Sequence, residues 1–189
     1  MQQTTVDGVR IAWARTDPAP LGADGVPDRS APAGNRRTLG RALITTLAAE
    51  LNPGSSVRIV QRCAVCGGPH GRPLVTGAAL IASVAYADPW VVVAVTPETL
   101  HAAIGIDAER DGAVPDLTAL FGPADPPDLQ GWTAIEAVLK ADGRGILAPP
   151  QNVEVDSSRG RLRDGPWFTL HPVHDLPGMI VTLAVSVRA

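Results

Sequence analysis

Lysine is nearly absent from this chain of 189 residues: fifteen of its sixteen Lys and Arg side chains are arginine, and the only lysine is Lys140. A Gly-x4-Gly-Lys-[Ser/Thr] phosphate loop therefore has no lysine to use, and no Gly-x-Gly-x-x-Gly fingerprint occurs either, which excludes P-loop ATP hydrolysis. Cysteine is limited to Cys63 and Cys66, too few for a disulfide framework. Charge of one sign is lacking as well. The net charge of -3 and the scattered arginines offer no basic field for DNA or RNA. The uncharged stretches Pro73–Ala87 and Pro89–Pro97 are separated at Asp88 and fall short of a spanning helix, so no membrane partner is expected. The opening residues carry Asp7 and no basic-then-apolar signal pattern, which leads us to expect the reducing cytoplasm. Glycine and proline make about a fifth of the chain, below the level of low-complexity sequences, and 45% hydrophobic residues suit a globular protein.

What is present reads as α+β. Val9–Ala14 alternates as a strand, and residues 16–35 form a Pro/Gly-rich loop. Leu39, Leu43, Ile44, Leu47 and Leu51 recur at three- and four-residue steps, which predicts an amphipathic helix over 38–51 that stops at Asn52-Pro53-Gly54. Val57–Gln61 reads as a strand, 63–73 as a turn region, and 80–84 with 90–95 as a buried hairpin. The second half repeats the kinds of element: strand 103–109, a short helix 116–121, a helix 132–141 starting at Gly131 or Thr133, and strands 153–155, 167–170 and 179–187. The order predicts two similarly sized α+β lobes, residues 1–99 and 100–189, rather than a doubly wound sheet.

Asp107 and Glu109 are two apart on a predicted strand, so their carboxylates leave one face. Ile104 and Ile106 take the other face. Glu136 and Lys140 are four apart on a predicted helix, in line with Trp132. Either pair alone also describes a solvated surface. Together, three carboxylates from two elements can hold Mg²⁺ with positions left for phosphate oxygens, and a lysine can neutralise a leaving pyrophosphate. That set points to phosphoryl-group transfer.

These residues resemble those of the 4′-phosphopantetheinyl transferases that activate peptide and polyketide synthases. Gly105-Ile106-Asp107-Ala108-Glu109 is similar to the family's (V/I)G(V/I)D(V/I)E motif, and Trp132 to Lys140 (WTAIEAVLK) to its W(S/T)xKEAxxK motif, continued by Gly143 and Gly145. Cys63 to Pro73 (CAVCGGPHGRP) resembles the CxxCGxxHG(R/K)P stretch of actinobacterial-like members. The resemblance runs from about Arg37 to the end. It implies a pseudo-dimer of two α+β lobes with coenzyme A in the cleft between them, acting as a cytoplasmic monomer on an acyl or peptidyl carrier protein. It also implies Mg²⁺ on Asp107, Glu109 and Glu136, with Glu136 as general base and Lys140 beside the transferred phosphate. Gly71, Arg72, Pro73, Arg41, Tyr86 and Lys140 would bind coenzyme A.

The sequence departs from that pattern in four places. Ala85-Tyr86-Ala87 replaces a Ser-His-Ser turn, Ile135 stands where a lysine precedes the metal-binding Glu, Thr45 replaces an arginine, and the interval from Glu109 to Glu136, which bears on carrier docking, is short. A lysine restored at 135 is expected to face the same phosphates as Lys140, and truncation of Lys140 is expected to leave the fold intact. Two other readings compete. A degenerate transferase fold would bind coenzyme A or a carrier without transfer. Cys63, Cys66 and His70 in C-x2-C-x3-H spacing would suit zinc, although His101, His171 and His174 lie far along the chain and no second C-x2-C completes a site. His171 and His174 read as loop or strand-end residues, and Trp13, Trp90 and Trp167 as core.

Overall fold

Eleven strands and three α-helices are assigned among residues 1–16, 34–63, 66–69, 71–122 and 126–186, which the computed structural model describes. Most of the expected loop over 16–35, and His70, lie outside them. Gln2–Val6 (β1) and Val9–Arg15 (β2) precede a helix at Gly34–Leu51 (α1). Arg58–Gln61 (β3), Pro73–Thr76 (β4), Leu80–Ala87 (β5) and Trp90–Pro97 (β6) follow. Then come Ile104–Arg110 (β7), Thr118–Phe121 (α2), Leu129–Asp142 (α3), Val153–Val155 (β8), Arg159–Leu162 (β9), Phe168–Pro172 (β10) and Met179–Ser186 (β11). The class is α+β. No described helix is long and apolar enough to cross a membrane.

Two antiparallel sheets form, in the orders β1-β2-β6-β5-β4-β3 and β7-β11-β10-β9-β8. Setting β1 aside, both have one connectivity: a strand, a long helix, then four strands of which the last pairs with the first. Alternation decides the faces. Ile11 and Trp13 on β2, Val92 and Ala94 on β6, Ile104 and Ile106 on β7 and Leu183 on β11 share one core between the sheets. Val91, Val93 and Val95 turn the other way, onto Leu43, Ile44 and Leu47 of α1. On the far side of the second sheet, Ala134, Ala137, Val138 and Ala141 of α3 cover Phe168, Leu170 and Ala184. The sheets are also tied by a polar bond at a strand edge: the buried Ser83 hydroxyl of β5 accepts the Ile106 N–H at 3.0 Å, so a backbone donor in the core is satisfied.

Three local differences from expectation have clear causes. β1 (QQTTV) has no apolar alternation because it is an exposed edge, held to β2 and fastened where Gln2 Oε1 accepts the Trp13 indole N–H at 2.7 Å. β9 (RGRL) keeps only Gly160 and Leu162 inward, too short a pattern to read in the sequence. Helix α3 starts at Leu129 rather than Gly131 or Thr133, because Asp128 caps it by accepting the Gly131 N–H at 2.7 Å.

One close approach brings the charged residues of β7 and α3 together. A Cβ at Gly105 would lie 2.0 Å from the Ala137 carbonyl oxygen and 2.5 Å from the Ala141 nitrogen, both backbone atoms of α3. Only a residue without a side chain lets the helix lie on β7. Gly105→Ala is therefore expected to destabilise the protein by about 3 kcal/mol or more, within the range of strong overpacking. Chemical denaturation measures this, and unchanged stability would show that α3 does not lie on β7 as described.

Candidate functional site

Asp107 and Glu109 follow Gly105 at two-residue steps, so they share its face and project where α3 passes. Glu136 and Lys140 lie on the β7-facing side of the helix. Lys140 Nζ donates to Asp107 Oδ1 at 2.5 Å and to the Ile106 carbonyl at 3.1 Å. Asp107 is 6% exposed, and its second oxygen, Oδ2, is buried without a hydrogen-bond partner. The Trp132 indole near the Glu109 carboxylate favours its ionised form, against the effects of burial and of Asp107. Trp132 itself is wedged in a small core and meets Phe121 edge to face, with ring centroids 6.2 Å apart.

The charges are crowded. Burial raises the Asp107 pKa, an effect that the Lys140 ammonium offsets only in part. Glu136 is raised by burial first and then by repulsion from Asp107 and Glu109, and Glu109 by burial and then by Asp107. These three carboxylates thus feel one another across the β7–α3 contact. Their donor chemistry fits a hard divalent cation: all are oxygen ligands, one buried oxygen lacks a partner, and their mutual repulsion is what a dication relieves. As the side chains stand, no three His, Cys, Asp or Glu residues among those described are arranged to hold an ion. At Asp107 the physical reason is Lys140, which already occupies one carboxylate oxygen.

Two expectations need correction. Truncation of Lys140 is no longer expected to leave stability untouched: its ammonium compensates a buried carboxylate, and 28% of its side chain is exposed. Ile135 does not point toward the acids. It is 4% exposed in an apolar cluster with Leu117, Trp132, Leu139, Ala148 and Leu162, because a one-residue step along a helix turns the side chain by about 100°. A lysine there would bury an amine in that cluster rather than face a phosphate.

The remaining candidates lie on or beside the first sheet: Tyr86 on β5, Pro73 at the start of β4, Gly71 and Arg72 just before it, and Arg41 on α1. Arg41 Nε donates to Gln61 Oε1 at 3.3 Å, and Gln61 Nε2 donates to the Gly71 carbonyl at 3.1 Å, which links α1 to the 71–73 segment. Arg72 reaches the end of α3: its Nη1 is 3.3 Å from where a Cβ of Gly143 would be. Gly143 caps α3 at φ 89°, so a glycine both ends the helix and leaves room for the guanidinium. Desolvation lowers the Arg72 pKa from the ordinary arginine value, although the residue keeps access to solvent. Neither Arg41 nor Arg72 forms an ion pair with a described carboxylate. Arg72 and Pro73 line an open groove of about 510 Å³ with Leu74, Ile81, Glu98 and Ala102. Tyr86 is on the α1 side of β5, with the Arg36 guanidinium 5.5 Å from its ring centroid and its hydroxyl against Gly40.

Cys63 and Cys66 share a turn closed by Gly67 N–H to Cys63 O and Cys63 N–H to Gly68 O, each 2.9 Å, and the Gly68 N–H reaches Cys66 Sγ at 3.4 Å. His101 is buried between the Asp7 and Ser186 carbonyls, and the Asp7 carboxylate lies 3.9 Å from His101 and 3.6 Å from His171. Trp13 is core, as expected. Trp167 is instead half-exposed under the Arg159 and Arg161 guanidiniums, 4.4 and 4.6 Å from its ring centroid.

Some residues of the site had no signal in the sequence. Gln61 ends an unremarkable strand. Thr182 sits opposite Asp107 on β11 and is hydrogen-bonded to Thr133 at 2.9 Å and Gln130 at 2.8 Å, yet in the sequence it is one more β-branched residue of a buried strand.

No family model matches this chain, and no curated protein matches its sequence.

Two measurements test the electrostatics. Raised carboxylate pKa values mean that the folded state holds protons which the unfolded chain releases. The cluster's contribution to stability is therefore best below the ordinary carboxylate range and declines as pH rises through the raised values. Glu136→Gln should accordingly raise the melting temperature near neutral pH by about 2–4 °C, near 1 kcal/mol for a chain of this length, and the gain should shrink in acid. A gain of equal size at all pH values would contradict the assignment. Lys140→Ala should cost about 3 kcal/mol by stranding the Asp107 carboxylate, and adding Asp107→Asn should recover most of that loss. Additive losses in the double variant would show that the pair is not coupled.

Proposed function

We propose that this protein transfers 4′-phosphopantetheine from coenzyme A to a serine of an acyl or peptidyl carrier protein, with Mg²⁺, releasing 3′,5′-ADP. The observation that carries this reading is the β7–α3 contact, where the buried Asp107 holds the only lysine of the chain at 2.5 Å and its charge adds to the burial that raises the Glu109 and Glu136 pKa. The two sheets of equal connectivity are read as the lobes of a pseudo-dimer, with coenzyme A in the groove between them. Arg72 bears on this: it directly precedes β4 of the first sheet and lies beside Gly143, the C-cap of α3, which covers the second. The proposed setting is a cytoplasmic monomer.

In this mechanism Arg41 and Arg72 hold the ribose phosphate, for which guanidinium geometry suits paired hydrogen bonds. Gly71 and Pro73 shape the backbone beside it, and Tyr86 stands where a phosphate donor is replaced by a phenol. The serine hydroxyl attacks the β-phosphorus of coenzyme A, the bond from that phosphorus to the bridging oxygen breaks, and the serine proton passes to Glu136. The raised pKa of Glu136 favours it as acceptor. Lys140 stabilises charge on the departing 3′,5′-ADP. Mg²⁺ on Asp107, Glu109 and Glu136 would supply charge neutralisation at the pyrophosphate. The carrier would dock at Val114, which is 94% exposed on an apolar groove of about 280 Å³ lined by Pro115, Leu117, Pro127 and Leu129.

One observation favours a second reading, a coenzyme A or carrier-binding protein without transfer. The Lys140 ammonium is already engaged by Asp107 and the Ile106 carbonyl, and Ile135 adds no second cation. Incubation with coenzyme A, Mg²⁺ and several apo-carriers, followed by mass spectrometry of the carriers, decides between them. A gain of one phosphopantetheine that disappears with chelator and falls at least a hundredfold, roughly 3 kcal/mol in the barrier, in Glu136→Gln is expected. Coenzyme A binding without modification of any carrier would replace the enzyme reading with the binding one.

A further inference from the structure

Gln61 closes β3 opposite Pro73 and is 8% exposed, a burial unusual for a glutamine. A buried amide is costly unless both of its ends are bonded. Here both are, to partners on different elements: the oxygen accepts from Arg41 Nε of α1 and the NH₂ donates to the Gly71 carbonyl. These partners also determine the amide's orientation, since a flipped amide would set its NH₂ against the guanidinium and its oxygen against a carbonyl. Two consequences follow for Arg41. Its Nε is committed to Gln61, so the terminal Nη groups remain as its phosphate-binding pair. Because an amide is neutral, the guanidinium is oriented without losing its charge, whereas a carboxylate in the same place would hold Arg41 more firmly and cancel that charge.

We infer that Gln61 is a positioning residue for phosphate recognition, setting the Arg41 guanidinium in register with the Gly71-Arg72-Pro73 segment. The inference rests on the coenzyme A site proposed above and adds to it a residue and a reason for its type. Gln61 touches no phosphate itself. Its effect is exerted through Arg41 on one side and the 71–73 backbone on the other, and it is specific to the part of the ligand that Arg41 meets, the ribose 3′-phosphate.

Calorimetric titration with coenzyme A and with dephospho-coenzyme A, which lacks the 3′-phosphate, tests this on the full chain. Wild type should prefer coenzyme A. Gln61→Leu should weaken coenzyme A binding about tenfold, the scale of one hydrogen bond to a charged group, and leave dephospho-coenzyme A nearly unchanged. Gln61→Glu, close in shape and able to keep Arg41 in place, should also lose the preference, now through neutralisation, and it decides the matter if Gln61→Leu does not fold. The losses of Arg41→Ala and Gln61→Leu should combine to clearly less than their sum in the double variant, because the part of the Gln61 effect that passes through Arg41 is already gone. Wild-type affinities in both Gln61 variants, or additive losses in the double variant, would overturn the role of Gln61 while leaving the coenzyme A site standing. Absence of coenzyme A binding by the wild type would instead remove the site and this inference with it.

Discussion

The contact between α3 and β7 is the constraint on which the rest of this structure depends. At Gly105 the helix backbone comes so near the strand that a single carbon would collide with it. That nearness brings two pairs of charged residues, spaced for a strand on one side and for a helix on the other, into one partly buried place. Placed farther apart, each carboxylate would keep its own water and its ordinary pKa. Pressed together, they share too little solvent and one ammonium, and their protonation becomes a collective property.

Such crowding is a cost to the fold that packing elsewhere must offset. The second sheet does so through α3, whose alanines allow the same close approach along Phe168, Leu170 and Ala184, while Trp132, Ile135 and Leu139 fill the flank beneath α2. The core between the sheets contributes most of the large buried side chains of β2, β7 and β11 and holds the two halves in contact. A segment beside the first sheet can then reach the end of the helix that covers the second, as Arg72 does at Gly143. The long-range geometry of the candidate site is thus a product of apolar packing, with polar groups placed on its faces.

Much of the site was legible from spacing. Asp107 with Glu109, and Glu136 with Lys140, are pairs whose common face follows from the strand period of two and the helix neighbour rule, and their elements form where the apolar pattern puts them. Lys140 stood out because the chain otherwise uses arginine. Ile135 shows where such reading fails. A motif position says which residue type is missing, but the direction of its side chain depends on how the helix is rotated against its sheet, and that rotation is set by Ala134, Ala137, Val138 and Ala141 finding the strands. Lys140 fails in a related way: whether a helical lysine meets water or a buried acid depends on what lies opposite, 33 residues away in the chain.

The sequence by itself determined the local matters: the class of the elements, the α+β composition, the face that Asp107 and Glu109 share on β7, and the helical spacing of Glu136 and Lys140. These follow from periodicity and side-chain type, which act over a few neighbouring residues. Only the tertiary structure decided which residues became partners. It joined Arg41 to Gly71 through Gln61, set Arg72 beside Gly143, left one oxygen of Asp107 without a hydrogen-bond partner and turned Ile135 into an apolar core. The physical reason is that partnership requires two surfaces to meet. Where they meet is chosen by the burial of apolar area over the whole chain, a sum to which no short stretch of sequence gives access.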